Sequence, residues 1–227
     1  MFTTRAGGVS GSPYAASGGG GGFNLGRHVG DEPAAVDENR RRLERMLGVT
    51  VEWMDQVHGR DLCVITEPTG RHAAATADAL VIGPGVPRIA PGVLVADCVP
   101  VVLATESGSH RAAVHVGRKG MMLGILGAAV ERLGELAREA VFAVAGPHIC
   151  GRCYEVSAEL FAEADALGAG STTRWGTPGV DLLAGIRRQL DGVPFAVVPG
   201  CTLEDERFYS YRRDGRTGRC AGVAVVA

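Results

Sequence analysis

Ala112-Ala113-Val114-His115-Val116-Gly117 is an apolar, β-branched run, and Met122, Ile125, Leu126, Ala129, Val130 and Leu133 follow it at helical spacing. The first stretch predicts a strand and the second a helix over 119–137. On either side of this pair, short β-branched strands are expected at 62–66, 79–82, 93–97, 101–104, 111–116, 141–145, 194–198 and 221–226. Asp31-Glu32-Pro33 opens a helix that Gly48 closes, with acids in its first turn and Arg40, Arg41, Arg42 and Arg45 later. Further helices are expected at 154–167 and 180–190. Strands and helices are interspersed without strict βαβ alternation, which predicts α+β with mixed sheets rather than a doubly wound fold. Glycines 18 to 22 are consecutive, and glycine loses the most backbone entropy on ordering, so residues 7–22 are expected to form an exposed loop.

The 227 residues suit one large domain or two intimately packed halves. Apolar residues make up 46% and charged residues 21%, enough for a real core. The net charge of -2 supplies no basic surplus for a phosphate backbone, which excludes nucleic acid as the main partner. Small anions need only local positive charge. The most apolar stretch, Gly92 to Ala104, is broken by Asp97 and Pro100 and falls short of the ~20 apolar residues of a membrane helix. Met1 to Gly8 contains no apolar core of a signal peptide. Six cysteines in a chain this long do not form a disulfide framework, so a reducing cytoplasm is expected.

Some patterns point nowhere. Gly83-Pro84-Gly85 follows a strand, but Arg88 stands where a dinucleotide fingerprint needs glycine. Cys150-Gly151-Arg152-Cys153 has the spacing of a redox pair or half a zinc knuckle, yet no second such pair exists and Cys201 and Cys220 stand alone. Two incidental cysteines near a helix start is the favoured reading. His72 and His110 lie in polar loop contexts, and His148 follows a strand.

Three segments place a potential ligand beside a strand end: Gln56-Val57-His58-Gly59, Ala96-Asp97-Cys98-Val99-Pro100 and the His115 segment. Strand ends are where a rigid sheet presents groups to solvent. Two imidazoles and one thiolate suit zinc, and three protein ligands leave a fourth position open. The ordinary alternative is two core histidines and a buried cysteine.

These segments occur in order with Thr3-Thr4-Arg5-Ala6-Gly7-Gly8-Val9-Ser10, Asn24-Leu25-Gly26-Arg27-His28-Val29-Gly30-Asp31 and Phe208-Tyr209-Ser210-Tyr211-Arg212-Arg213-Asp214. Together they resemble the YfiH-like family, once labelled laccase-like multicopper polyphenol oxidase and now described as purine nucleoside phosphorylases. The resemblance implies a layered α/β/β/α sandwich of mixed sheets in a single domain over residues 1–227. It implies Zn2+ on His58, Cys98 and His115. It also implies phosphorolysis of adenosine, inosine, guanosine and methylthioadenosine, with adenosine deamination alongside. Where the family reads Ala-Gly-Trp-Arg-Gly, this chain has Val116-Gly117-Arg118-Lys119-Gly120, exchanging an aromatic wall for a cation.

Purine nucleosides and phosphate are thus the expected partners, with the chain a monomer or homodimer. Phosphate would meet Arg5 and Arg118 or Lys119. Asn24 would hold a ribose hydroxyl or purine edge, His28 would protonate the leaving base, and Gln56 would be a polar contact beside the metal. Structural duties compete: Asn24 as a turn cap, Arg5 paired with Asp97 or Asp214, Arg212 and Arg213 in ion pairs. A second enzyme class uses the same residues without metal, with Cys98 as nucleophile and His115 as base in a cysteine hydrolase or amidase. The family's peptidoglycan-editing label fits such a hydrolase. A copper oxidase would need more histidines than six, including His-x-His pairs absent here.

Overall fold

Strands that are apolar at every position must be covered on both faces, and this chain has several. The computed structural model describes residues 1–67, 75–86 and 88–225. In order come β1 (Ala6–Ser10), α1 (Pro33–Leu47), β2 (Thr50–Asp55), β3 (Leu62–Ile65), β4 (Ala75–Thr76) and β5 (Ala79–Ile82). Then follow β6 (Ile89–Val95), β7 (Val99–Thr105), β8 (Arg111–Val116), α2 (Arg118–Leu123), α3 (Ile125–Ala137) and β9 (Val141–Ala145). The chain continues through α4 (Ala158–Asp165), β10 (Gly170–Thr172), β11 (Pro178–Val180), α5 (Leu182–Gln189), β12 (Phe195–Val197), α6 (Tyr211–Asp214) and β13 (Cys220–Val223).

Six strands form one mixed sheet in the order β12-β9-β7-β8-β5-β3, and four form a second in the order β13-β6-β2-β4. β8 runs antiparallel to both β5 and β7, while β3–β5 and β9–β12 are parallel. β10 and β11 make a separate antiparallel pair.

Side-chain alternation along the strands sorts the apolar residues into three cores. Ala79, Val81, Ala112, Val114 and Val116 meet Met121, Ile125, Leu126 and Ile186 of the helices. On the other face, Leu80, Ile82 and Ala113 meet Val93 and Val95 of the second sheet. Ala90, Leu94 and Val51 face Leu43 of α1. Three cores separate four layers, the α/β/β/α sandwich of mixed sheets that the resemblance implied. The same parity puts His115 on the face of Ala113, between the sheets.

Several elements differ from expectation. The helix over 119–137 is two helices, broken at Gly124 with φ of 76°. The helix expected from 154 starts at 158, capped by Ser157, because the preceding residues form a turn in which Cys153 and Tyr154 N–H donate to the Cys150 carbonyl. The exposed loop over 7–22 begins as strand β1, and buried Asn39 of α1 supplies its hydrogen bonds: Asn39 Oδ1 accepts from Val9 N, and Nδ2 donates to Ser10 Oγ and the Gly22 carbonyl. β2, β4, β10 and β11 were not anticipated. The last strand spans 220–223; position 226 and His72 lie outside the described residues. Among the described residues no helix is long and apolar enough to cross a membrane.

Candidate functional site

β8 ends at Val116, so His115 is the last inward-facing residue before Gly117 lets the chain turn into α2. The corner between β6 and β7 carries Asp97 and Cys98, and the connection from β2 to β3 carries His58. His58 and Asp97 both have positive φ, 59° and 91°, a conformation that costs non-glycine residues energy and clusters at functional sites. Asp97 is held there: its carboxylate accepts from Thr202 Oγ1 and Arg212 N, each at 2.7 Å.

Cys98 Sγ lies 4.0 Å from His58 Nε2. The two imidazoles meet edge to face with centroids 4.6 Å apart. One ligand atom from each of His58, Cys98 and His115 lies within 4.8 Å of the others. Tetrahedral zinc spaces nitrogen and sulfur about 3.6 Å apart, so the Cys98–His58 pair already stands near that spacing and the trio has only a short way to close. A Cβ at Gly117 would stand 3.0 Å from His58 Cδ2 and 3.1 Å from Cys98 Sγ. Glycine therefore keeps open the cradle that an ion would fill.

Asp78, which the sequence reading did not single out, organises this trio. It is fully buried. Its carboxylate accepts from His115 Nδ1 at 2.8 Å, from His58 N at 3.0 Å and from Gly59 N at 2.6 Å. Burial would raise its pKa, but the bonds from His115 and Gly59 outweigh that and hold it below the ordinary value. An ionised carboxylate can only accept, so His115 carries its proton on Nδ1 and turns Nε2 towards Cys98. The available signal was a lone acid opening the wholly buried run Asp78-Ala79-Leu80-Val81-Ile82.

Without a metal, burial works against charge on the Cys98 thiol. The charge and hydrogen bonds of His115 and His58 win, bringing it down to about 6. Burial likewise opposes protonation of His115, but the charge of Cys98 and the hydrogen bond to Asp78 lift it to about 9. The pair is a thiolate beside an imidazolium.

The trio lines a cavity of about 490 Å³ whose walls include His28, Gln56, Tyr154, Tyr211, Arg212 and Arg219. That volume suits a small-molecule ligand. Arg212 stacks 4.8 Å above the Tyr154 ring and donates to the Glu155 carbonyl. Arg219 donates to the carbonyls of Thr217 and Gly218. Burial, with Arg219 and Arg40 adding to it, keeps the pKa of His28 below the ordinary imidazole value. Gln56 exchanges two hydrogen bonds with the Leu94 backbone.

Other predicted residues lie elsewhere. Asn24 is fully buried, and its amide serves Gly26, Asp31 and the Arg219 backbone. Arg5 donates to the Ala15 carbonyl, stacks on Tyr209 and pairs with Asp214 at 3.7 Å. Arg118 reaches Glu163 at 3.4 Å. None of the three lines the cavity. Arg213 is the fold-holding cation, bound to Asp214 and the carbonyls of Thr202 and Phe208. Its neighbour Arg212 faces the cavity instead, as does Arg219, which motif reading passed over.

The model of a family described as multi-copper polyphenol oxidoreductase laccase matches residues 1–227. The chain belongs to this YfiH-like family. A purine nucleoside phosphorylase of Streptomyces griseus is 46% identical, over 97% of this chain and 91% of the relative. The purine nucleoside phosphorylase YfiH of Shigella flexneri is 37% identical, over 96% and 90%. Among solved structures, the YfiH protein of Bacillus licheniformis superimposes with a TM-score of 0.85 at 27% identity, covering 99% of this chain and 91% of its own. YlmD of Geobacillus stearothermophilus gives 0.84 at 29%, covering 98% and 89%. The YfiH-like fold thus extends over essentially the whole chain.

Proposed function

We propose that this chain is a zinc-dependent purine nucleoside phosphorylase acting on adenosine, inosine, guanosine and methylthioadenosine, with adenosine deamination as a side activity. The observation that carries the reading is the His58–Cys98–His115 cluster at the wall of a cavity that also holds two arginines and two tyrosines. The names of the relatives support the substrate class.

In phosphorolysis a phosphate oxygen bonds to the anomeric carbon, the glycosidic carbon–nitrogen bond breaks, and the purine leaves with the proton that the attacking hydrogen phosphate gives up. Arg212 and Arg219 replace Arg5 and Arg118 as the cations that receive phosphate. Tyr154 and Tyr211 offer ring faces to the purine, a duty that Arg118, in place of the family's tryptophan, does not perform. His28, held below the ordinary imidazole pKa by burial and by Arg219 and Arg40, serves as a hydrogen-bonding partner for base or ribose. Zinc on His58, Cys98 and His115 would supply a Lewis-acidic centre beside the reacting oxygen. Asp78 keeps His115 in the ligating tautomer.

A second reading rests on the thiolate–imidazolium pair oriented by Asp78, the arrangement of a cysteine hydrolase with Cys98 as nucleophile and His115 as base. Turnover of inosine and adenosine, with and without phosphate, on protein of measured metal content separates the two. Phosphate-dependent base release that disappears in Cys98→Ala upholds the phosphorylase. Metal-free protein that ignores nucleosides, and whose amidase activity is lost on alkylation of Cys98, overturns it.

A further inference from the structure

Cys150-Gly151-Arg152-Cys153 lacks a partner pair in the sequence, but the fold brings one to it. After β9 and after β12 the chain runs side by side: His148 N donates to the Gly200 carbonyl and Thr202 N to the His148 carbonyl. This short parallel bridge pairs Cys201 with His148, two residues before Cys150. Each strand of the ladder then turns tightly. Cys153 N donates to the Cys150 carbonyl at 2.9 Å, and Glu204 N donates to the Cys201 carbonyl at 3.1 Å. The two turns are therefore alike, with ligand-type residues at their first and fourth positions: Cys-x-x-Cys facing Cys-x-x-Glu.

One ligand atom from each of Cys150, Cys153, Cys201 and Glu204 lies within 4.8 Å of all the others. Cys150 N also donates to Cys201 Sγ at 3.4 Å, which holds the two turns together. Cys153 is buried, Cys150 and Cys201 are half-buried, and Glu204 is at the surface, where its Oε1 accepts from Arg174 at 3.0 Å and its second oxygen is available. Tetrahedral zinc holds sulfurs about 3.8 Å apart, so the four donors stand close to the spacing an ion would impose.

We propose that Cys150, Cys153, Cys201 and Glu204 form a second metal site that binds zinc in a closed, structural mode. Three soft thiolates and one carboxylate select zinc over magnesium or calcium, and four protein ligands leave no position for substrate. Burial pushes the Cys150 thiol up, and Cys201 adds to the effect; a divalent cation removes the repulsion among three thiolates.

The site's position gives it a task. Ile149 and Tyr154, which flank the Cys-x-x-Cys turn, are cavity wall residues. Thr202, next to Cys201, donates to Asp97 beside Cys98. Zinc here ties the loop after β9 to the segment before α6 and fixes one wall of the cavity without touching its contents.

The test uses the full chain with the first cluster disabled by His58→Ala. Zinc per chain is measured after purification without chelator, and cobalt is then exchanged in. The expected result is about one metal ion per chain, with intense thiolate-to-cobalt charge-transfer absorption that is lost in His58→Ala/Cys201→Ser. Wild-type protein should hold about two ions. His58→Ala protein that binds no metal and shows no thiolate–cobalt band overturns the site. So does an intact mass two hydrogens short, with the bridge mapped between Cys150 or Cys153 and Cys201 in protein kept under reductant. The metal count and cobalt band on His58→Ala are read with all four residues native, so the overturning result does not depend on how the Cys201→Ser variant folds.

Discussion

Asp78 holds four partners with two oxygens, since Val57 N donates to it as well, and its replacement by asparagine separates charge from shape. In Asp78→Asn one oxygen can still accept from His115 Nδ1, but the amide then points N–H groups at the N–H of Gly59. A buried donor left unsatisfied costs about 1–3 kcal/mol. The lost charge also weakens His115 as a ligand, so metal affinity should fall roughly 10–100-fold in a chelator-competition titration. Unchanged affinity would mean that Asp78 only shapes the loop. Cys98 offers a pH-dependent readout of the same network. In metal-stripped protein its thiolate persists above about 6, because His115 stays protonated up to about 9. Alkylation of Cys98 by iodoacetamide should therefore rise through a midpoint near 6, rather than near the ordinary 9.0. Asp78→Asn should move that midpoint upwards, since losing the carboxylate makes the imidazolium, and with it the thiolate, less favourable. A wild-type midpoint near the ordinary thiol value would refute the ion pair. At this scale the sequence was informative about ligand-type residues and silent about their organiser. His58, Cys98 and His115 stand out as polar groups at strand ends, whereas Asp78 reads as the edge of an apolar run and the positive φ of Asp97 has no compositional mark.

Elements with one strong period were legible, and those interrupted by a single residue were not. α1 follows its end signals, with Pro33 at the start and Gly48 in the left-handed conformation at the end, while Asp31 and Glu32 stand just before the helix and its first turn holds no acid. Residues 118–137 keep helical spacing throughout, yet Gly124 N–H donates back to the carbonyls of Gly120 and Met121 and ends α2. Apolar periodicity survives the break because both helices cover the same sheet, which is why pattern alone joined them. Gly124→Ala tests the break: a Cβ there would meet nothing within 4 Å, so any cost is conformational. A left-handed alanine should cost about 1–2 kcal/mol, read as a lowered urea midpoint at unchanged slope. Unchanged or raised stability would show that the residues from 118 to 137 prefer one continuous helix. The short pair β10–β11 and the ladder beside His148 escaped for a different reason. Each is a few residues long, and its pairing is decided by what it packs against, not by its own composition.

The residue pattern reached α+β with mixed sheets, and the four-layer plan came with the family resemblance; the three cores give its physical reason, because strands apolar on both faces demand cover on both sides. The cavity was less readable, since its walls come from positions as distant as His28 and Arg219 and only the layered fold assembles them. Asp55 and Asp97 line it together with Arg212 and Arg219, which gives the cavity two polarities. Asp97 is already engaged by Thr202 and the Arg212 backbone, leaving Asp55 as the acid available to hydroxyl groups. An anion entering this space is drawn towards the arginines and repelled from Asp55. Arg212 commits one nitrogen to the Glu155 carbonyl and keeps donors of its guanidinium for a ligand. Removing the side chain in Arg212→Ala leaves the bond from its backbone N–H to Asp97 intact, so the corner carrying Cys98 should survive. The expected outcome is a KM for phosphate raised about tenfold or more, as for loss of one charge-assisted contact. Metal content should not change, and the KM for inosine should shift less. Equal losses for both substrates would instead assign Arg212 to the wall itself, acting through its stack on Tyr154. In that case phosphate would rely on Arg219, and Arg219→Ala would carry the selective effect.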